Sequence, residues 1–287
     1  HPHKDDKILT SWNGLMIAAM AIGGRVLNKP NYTKAAQKAL DFIFLNLINE
    51  EGRLLARYRD GEAAYLAYLD DYAFLVWGLI ELYQTTFDVK YLKKAIELNK
   101  EMLDLFQDEE NGGLFLYAKD SEELIARPKE VYDGAVPSGN SVAALNMLRL
   151  ARLTGDYHLE EQAYNHLSAF AGTVEKHPSA YSYYLMAAIF ALYPTKEIVL
   201  VGESKDENIQ RMLSLIHRSF LPEAVIIYKD VDSKEQALWD LVPYIKGQDP
   251  IEGKATVYIC ENYSCQAPIS NIKELEQILL TWYPMKS

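Results

Sequence analysis

The sequence has 287 residues, of which 49% are hydrophobic and 24% charged, an ordinary composition for one large globular domain or two smaller ones. Its 29 Lys and Arg against 40 Asp and Glu give a net charge of −11, which argues against nucleic acid or an anionic membrane as a partner. Only Cys260 and Cys265 are present, too few for the disulfide framework of a secreted domain, so we predict a cytoplasmic location.

The start of the chain is unusual, because His1-Pro2-His3-Lys4 has no Met and leads within a few residues into a helical pattern. This predicts a piece of a longer protein, with the remnant of a tag as the alternative. The longest apolar runs, such as Leu15 to Ile22, are shorter than the roughly 20 residues that a membrane helix needs.

A repeat extends from Ser11 to Tyr193. Tyr32, Tyr91 and Tyr157 each open an amphipathic helix with apolar residues at helical spacing, which predicts an outer helix. More apolar segments precede them and predict buried inner helices. These segments are Trp12 to Leu27, Tyr72 to Thr86 and Ser141 to Leu153. A fourth inner helix is expected after Pro178-Ser179.

Polar residues at the starts of the inner helices suit N-caps, since their side-chain oxygens accept from free backbone N–H groups. The candidates are Ser11, Asp70 or Asp71, and Ser138 or Asn140. Two β-hairpins are predicted between repeats, at Arg53 to Arg59 with a turn at Asp60-Gly61, and at Gly113 to Ala118 with a turn near Asp120.

The pattern changes near Pro194. Short β-branched runs at Ile198 to Val201, Ala224 to Tyr228 and Thr256 to Cys260 predict strands, and Ile209 to Phe220 and Ile272 to Trp282 predict helices. Strand-helix-strand order predicts a sheet with a parallel pair. We therefore predict a mainly α fold, with an α/α-toroid portion over residues 1–194 and a small α/β region over residues 195–287.

Five segments in order resemble the YyaL-like family of thioredoxin-domain-containing proteins, which is related to a spermatogenesis-associated protein. They are Asp5 to Met16, Leu69 to Phe74, Gly112 to Phe115, Asp133 to Ser141, and Cys260 to Pro268. The resemblance implies a thioredoxin-like domain followed by an (α/α)6 toroid similar to N-acylglucosamine epimerases and six-hairpin glycosidases. This sequence departs from that plan, because it lacks the thioredoxin-like domain and the first toroid helices.

In such a toroid, the N-terminal ends of the inner helices and the preceding loops converge on one face of the central cavity. Carboxylates from separate repeats facing one cavity suit acid and base chemistry on a sugar. The catalytic candidates are Asp5, Asp6, Asp71 and Asp133. The substrate-binding candidates are Lys7, Trp12, Asn13, Tyr72, Ser138 and Asn140.

Three interpretations stay open at this point. The first is a hydrolase-like, carbohydrate-active enzyme that needs no cofactor and no metal. The second is a binding module that holds a ligand or client. For single residues a structural role is the alternative, in which Asp70 or Asp71 and Ser138 only cap helices and the aromatic rings only pack, although capping explains Asp5, Asp6 and Asp133 less well. The third is a sugar epimerase whose histidine comes from elsewhere, because no histidine starts an inner helix and His158 and His166 fall on an outer helix where exposure is expected.

Cys260 and Cys265 are redox candidates, but the four intervening residues are too many for the redox motif that lowers a thiol pKa. A turn would bring the sulfurs together, although two ordinary thiols are the expected state. A phosphate could rest near Gly202-Glu203-Ser204, but no glycine-rich nucleotide motif is present. The expected partners are a small carbohydrate, the remainder of a longer chain, and a second copy of this chain.

Overall fold

The computed structural model describes residues 4–122, 126–233 and 236–282; His1 and His3 lie outside these residues. In the described part, the first two thirds of the chain is mainly α-helical. They are α1 (Thr10–Val26), α2 (Pro30–Asn46), α3 (Leu69–Thr86), α4 (Val89–Phe106), α5 (Gly139–Thr154), α6 (Tyr157–Val174) and α7 (Ser182–Leu192).

These helices form hairpins, with α1 on α2, α3 on α4 and α5 on α6. The first member of each hairpin packs against the first member of the next, so α1, α3, α5 and α7 form a continuous inner row. Nearly every residue of α3 and α5 is buried, whereas α4 and α6 bury one stripe. This difference in burial confirms the predicted inner and outer helices. A helix that is apolar nearly all round is stable only with neighbours on every side.

The inner row is an arc with two open ends rather than a closed ring. Met16 on α1 is 60% exposed and Ile189 on α7 is 55% exposed, while the matching faces of α3 and α5 are covered. Ala19 is exposed as well and Leu15 is half-buried, so the open end of the arc on α1 presents apolar surface.

A buried ion cluster joins three inner helices. Glu81 of α3 lies between Arg25 of α1, at 2.6 Å, and Arg149 of α5, at 2.7 Å. Burial opposes ionisation of Glu81, but the two guanidinium groups overcome it and lower its pKa to about 2. The inner helices are therefore held by charge pairing as well as by apolar packing.

The first predicted hairpin is confirmed and gains an unexpected third strand. The strands are β1 (Ile8–Leu9), β2 (Leu55–Arg59) and β3 (Glu62–Leu66), in the antiparallel order β1-β2-β3. Asp60 and Gly61 form the turn with φ of 53° and 83°, the left-handed conformations that a two-residue hairpin turn requires.

The second predicted hairpin, near residues 113–118, does not form strands in the described residues. The segment has a single bridge, Gln107 to Leu114, and Leu116 donates instead to the Pro128 carbonyl. Because proline has no backbone N–H, Pro128 cannot donate a second hydrogen bond to Leu116, and the contact does not extend into a β-ladder.

The last third of the chain forms a four-stranded sheet with helices. Its elements are β4 (Lys196–Gly202), α8 (Glu207–Arg218), β5 (Ala224–Asp230), α9 (Gln236–Leu241), β6 (Thr256–Glu261), β7 (Ser264–Cys265) and α10 (Ile272–Trp282). The strand order is β5-β4-β6-β7, with β4 parallel to β5 and the other pairs antiparallel. The predicted strands, helices and parallel pair are confirmed.

The sheet is buried on both faces. Val199 and Val201 of β4 join the core of the helical arc, whereas Ile198 and Leu200 pack in a second core that contains residues of α8 and α10. The alternation follows from the two-residue period of a strand. The helical and α/β parts therefore share one core across this interface.

Candidate functional site

The N-terminal ends of α1, α3, α5 and α7 lie together, and we call this surface the N-terminal face. Aspartates cross-link the ends of neighbouring inner helices here. Asp71 of α3 accepts from Ser11 N of α1 at 2.8 Å and from Tyr68 N at 2.8 Å. Ser11 is thus a donor within α1 and not the predicted cap, because Leu9 holds the cap position.

Asp71 is buried, and burial raises its pKa to about 7 against the opposing effect of the two amide donors. Each carboxylate oxygen already accepts one backbone N–H. The geometry is that of the helix cap retained as the alternative in the sequence analysis.

Asp133 plays the same part between α5 and α7. Its Oδ1 accepts from Ser138 N at 2.9 Å, and its Oδ2 accepts from Tyr183 N at 2.8 Å and Tyr184 N at 3.0 Å. Asp133 therefore binds the first turn of α7, although it precedes that helix by some fifty residues in sequence.

Asp70 differs from its neighbour Asp71. It accepts a backbone hydrogen bond from Gly139 at the start of α5, and its side chain is only partly buried. Its pKa is raised to about 6, chiefly by burial and to a smaller extent by the negative charge of Glu130, while the hydrogen bond from the Gly139 amide opposes the rise. A Cβ at residue 139 would clash with Asp70 Oδ1, so glycine makes the approach possible.

Asp70 was expected at the start of an inner helix on this face, but neither Asp70 nor Glu130 was among the predicted catalytic residues. The adjacent pair Asp70-Asp71 was the signal that could have identified Asp70, because one side chain of the pair can point toward each neighbouring inner helix. Glu130 gave no signal, because its proximity to Asp70 depends on the path of the loop before α5.

Asp5, Asp6 and Lys7 form the rim of the N-terminal face. Asp5 is exposed and pairs with Lys7 at 3.2 Å, and the hydrogen bond from Lys7 lowers the Asp5 pKa. Asp6 pairs with Arg59 of β2 at 2.9 Å. These carboxylates are accessible but are balanced by cations.

Trp12 is 64% exposed at the start of α1, and Asn13 beside it donates to the Leu9 carbonyl at 2.8 Å. Tyr68 and Tyr132 add further exposed rings. Next to Tyr68 an open groove of about 580 Å³ is lined by Lys7, Arg57 and Tyr65 among others. The N-terminal face therefore has exposed aromatic rings beside charged side chains.

Three predicted substrate-binding residues are buried, which corrects the expectation for them. The Tyr72 ring lies in the core, where its hydroxyl donates to Glu101 Oε1 at 2.5 Å. Asn140 bonds the backbone of Leu114 and Glu130, and Ser138 caps α5 by accepting from Ser141 N at 3.1 Å. Their hydrogen bonds hold loops and helix ends, so no ligand can reach them in this arrangement.

The histidines differ in position. His166 is buried and its Nε2 contacts the Asn140 carbonyl at 2.9 Å, which corrects the expected exposure, whereas His158 is exposed. Burial lowers the pKa of His166 to about 4, so it is neutral at pH 7. Of the described histidines, only His177 lies in a loop that leads into an inner helix.

Cys260 and Cys265 form a disulfide, which corrects the expectation of two ordinary thiols. The turn predicted between them is present: Asn262 and Tyr263 adopt φ of 51° and 61°. Because β6 and β7 pair across this turn, the two cysteines stand directly opposite each other. The sequence analysis predicted the approach but not the strand pairing that completes it.

In residues 4–122, 126–233 and 236–282, no group of His, Cys, Asp and Glu side chains is arranged to hold a metal ion. None of the helices in this part of the chain has both the length and the hydropathy needed to span a bilayer.

The sequence has curated relatives. It is 31% identical to human spermatogenesis-associated protein 20 over 288 residues, which cover 97% of this chain, and 32% identical to the rat protein over 96% of this chain. The chain is homologous to spermatogenesis-associated protein 20. It spans 36% of the length of these two relatives. An uncharacterized protein of Caenorhabditis elegans is 31% identical over 96% of this chain.

Solved structures share the fold. Cellobiose 2-epimerase from Bacillus thermoamylovorans matches with a TM-score of 0.52 and 17% identity over 93% of this chain and 68% of its own. A GH76 α-mannanase from Bacteroides thetaiotaomicron matches with a TM-score of 0.52 and 16% identity over 76% of this chain and 58% of its own. No protein-family model matches the chain. At these identities, the likeness establishes the toroid architecture alone.

Proposed function

We propose that this chain contributes to a carbohydrate-active toroid whose ligand contacts the N-terminal face, with Asp70 as the acid or base. The observation that carries the proposal is the contrast among the aspartates of this face. Asp71 and Asp133 have both oxygens bound by backbone N–H groups, whereas Asp70 is partly exposed and has a pKa near 6.

A group with a pKa near 6 holds its proton in a useful fraction of molecules near neutrality, which is what a general acid requires. Glu130 lies close enough for its charge to raise the Asp70 pKa. Glycoside hydrolysis uses a pair of carboxyl groups, of which one protonates the leaving oxygen and the other acts as base or nucleophile. Asp70 as acid and Glu130 as its partner fit these roles.

Substrate positioning falls to the exposed groups of the face. Trp12 can stack on the apolar side of a sugar ring, and Asp5, Asp6 and Lys7 at the rim can bond its hydroxyls. Asp71 and Asp133 act through the helix ends that they hold. Two solved structures of this fold are a sugar epimerase and a mannanase, which supports sugar as the ligand class.

The second candidate function is a binding module without catalysis. The observation that favours it is the helix-capping geometry of Asp71 and Asp133 described above. Epimerase chemistry has less support, because it requires histidines beside the ligand and His177 is alone among the described histidines in approaching this face.

Binding is tested by isothermal titration calorimetry of this chain with cellobiose and with an α-linked mannobiose. We expect millimolar or tighter binding of one sugar, and about a tenfold loss in Trp12→Ala, since a stacked aromatic ring contributes about 0.5–1.5 kcal/mol. Tyr193→Ala is the matched control, because Tyr193 is 66% exposed but lies at the C-terminal end of α7. Equal losses in both variants, or no sugar binding, would remove the N-terminal face as the site.

Catalysis is tested separately, by following sugar anomeric signals with NMR in wild type, Asp70→Asn and Asp41→Asn. Asp41 is exposed on the outer helix α2 and controls for loss of one charge. We expect turnover to fall at least about 100-fold in Asp70→Asn alone. Sugar binding with no turnover in the wild type would instead establish the binding module.

A further inference from the structure

A second cleft lies at the opposite ends of the inner helices, where the helical arc meets the sheet. It has a volume of about 640 Å³, within the range of small-molecule sites. The C-terminal ends of α1 and α3 form one wall, and α8 with the adjoining strand β5 forms the other. The carboxyl ends of the parallel strands β4 and β5 lie beside it, the edge at which α/β sheets commonly bind ligands.

The chemistry of the lining is uniform. Arg25 and Lys34 supply positive charge, and most of the other side chains carry hydroxyl or amide groups, among them Thr33, Gln37, Ser204, Gln210 and Ser214. Within the described residues, no carboxylate lines this cleft, although the chain as a whole carries a net charge of −11. The cleft therefore contrasts in charge with the rest of the protein.

The charge of Arg25 is only partly neutralised by its partner. Glu81 is shared between Arg25 and Arg149, so the buried cluster retains one net positive charge. The effect reaches the cleft, because the pKa of His217 is lowered to about 4 by burial and, to a smaller extent, by the charge of Arg25. An anion beside Arg25 would be attracted by this positive charge, whereas Asp230, Asp232 and Asp206 act on Tyr228 at another part of the lining.

Phe87 and His217 stack on each other within the lining of the cleft. Phe87 ends α3 with φ of 55°, a left-handed conformation that is uncommon for a bulky side chain and places its ring parallel to His217 at 5.9 Å. The Nε2 of His217 lies 3.1 Å from the Gln84 carbonyl, which can only accept. Nε2 therefore carries the proton, and Nδ1 of the neutral ring is an acceptor for a ligand hydroxyl.

We propose that this cleft binds a small phosphorylated polyol, such as a sugar phosphate, with its phosphate near Arg25 and Lys34 and its hydroxyls on the amide and hydroxyl lining. The N-terminus of α8 is not the phosphate site, because Asp206 caps it by accepting from Asn208 N at 2.8 Å. The proposal is independent of Asp70, since the cleft lies at the other end of the inner helices.

The test is calorimetric titration of this chain with glucose 6-phosphate, glucose and inorganic phosphate. We expect glucose 6-phosphate to bind at least about tenfold more tightly than either fragment, because charge and hydroxyl contacts act together. Raising the salt from about 50 to 300 mM should weaken that binding, as screening requires.

Two pairs of variants locate the binding. Lys34→Glu should weaken glucose 6-phosphate at least about tenfold, and Lys38→Glu, one turn further along the same exposed face of α2, by less than about threefold. Gln210→Glu on α8 should weaken the binding of glucose 6-phosphate to a similar extent. Gln277→Glu, at an exposed position on α10, is its control.

Three results would overturn the proposal: no measurable binding of glucose 6-phosphate, equal binding of glucose, or equal losses in Lys34→Glu and Lys38→Glu, which would indicate only diffuse attraction. Trp12→Ala should leave this binding unchanged. A loss there would assign the sugar phosphate to the N-terminal face instead.

Discussion

At the residue scale, the aspartates of the N-terminal face differ in how many backbone N–H groups bind their carboxylate oxygens. Asp71 and Asp133 each join two inner helices through N–H groups, whereas Asp70 receives one backbone bond and keeps capacity for another partner. The first two are expected to contribute to stability, and the third to be available for chemistry.

Replacing Asp133 with Asn tests this distinction. An amide retains one acceptor oxygen, but its NH₂ would face the N–H groups of Tyr183 and Tyr184 or of Ser138, so part of the cap is lost. We expect the free energy of unfolding, measured with urea, to fall by about 1–2 kcal/mol.

Asp104→Asn, at an exposed position on the outer helix α4, is the control and should change stability by less than about 0.5 kcal/mol. If Asp133→Asn is as stable as this control but loses sugar binding, Asp133 belongs to the ligand site and not to the cap.

At the scale of elements, glycine sets the distance between α1 and α3. A Cβ at Gly14 would lie 2.6 Å from the carbonyl carbon of Phe74 and 2.8 Å from Leu75 N, both of them backbone atoms that cannot rotate away. Gly78 of α3 fits against Ile17 of α1 in the same seam. The two inner helices are thus in close backbone contact.

Gly14→Ala should therefore destabilise the protein by about 1–3 kcal/mol, even though alanine favours a helix by about 1 kcal/mol. Gly172→Ala in α6 is the matched control, because nothing lies within 4 Å of a Cβ there. The control should be neutral or raise the melting temperature in calorimetry. Similar stabilisation of both variants would show that α1 and α3 are less closely packed than described.

At the scale of the molecule, the arc ends in two apolar helix faces, on α1 and α7. Such faces are normally covered in a stable assembly. The candidates for covering them are further residues of a longer chain, consistent with relatives of which this chain spans 36%, and a second copy of this chain.

We expect this chain alone to self-associate as its concentration rises, as measured by light scattering after size exclusion. Placing lysine at both Met16 and Ile189 should shift it toward the monomer. Leu45→Lys is the control, since Leu45 is 82% exposed but lies on the outer helix α2. A wild-type monomer at every concentration would mean that these faces need no partner.

The sequence by itself determined the order of the inner and outer helices, the first hairpin turn and the strands β4, β5 and β6. The 3.6-residue pattern separated buried inner helices from amphipathic outer ones, Asp60-Gly61 marked a turn, and β-branched runs marked β4, β5 and β6. These features depend on neighbours close in the chain, which is why local periodicity and turn chemistry were sufficient.

Only the tertiary structure decided what the polar residues do. Asp133 caps a helix some fifty residues away, Tyr72 is buried with its hydroxyl on Glu101, His166 is buried against the Asn140 carbonyl, and Cys260 meets Cys265 through strand pairing. Asp70 owes its raised pKa to burial and to Glu130 on a separate loop. The burial of a side chain and the charge acting on it depend on all of its neighbours in space. Sequence spacing does not specify which distant residues those neighbours are.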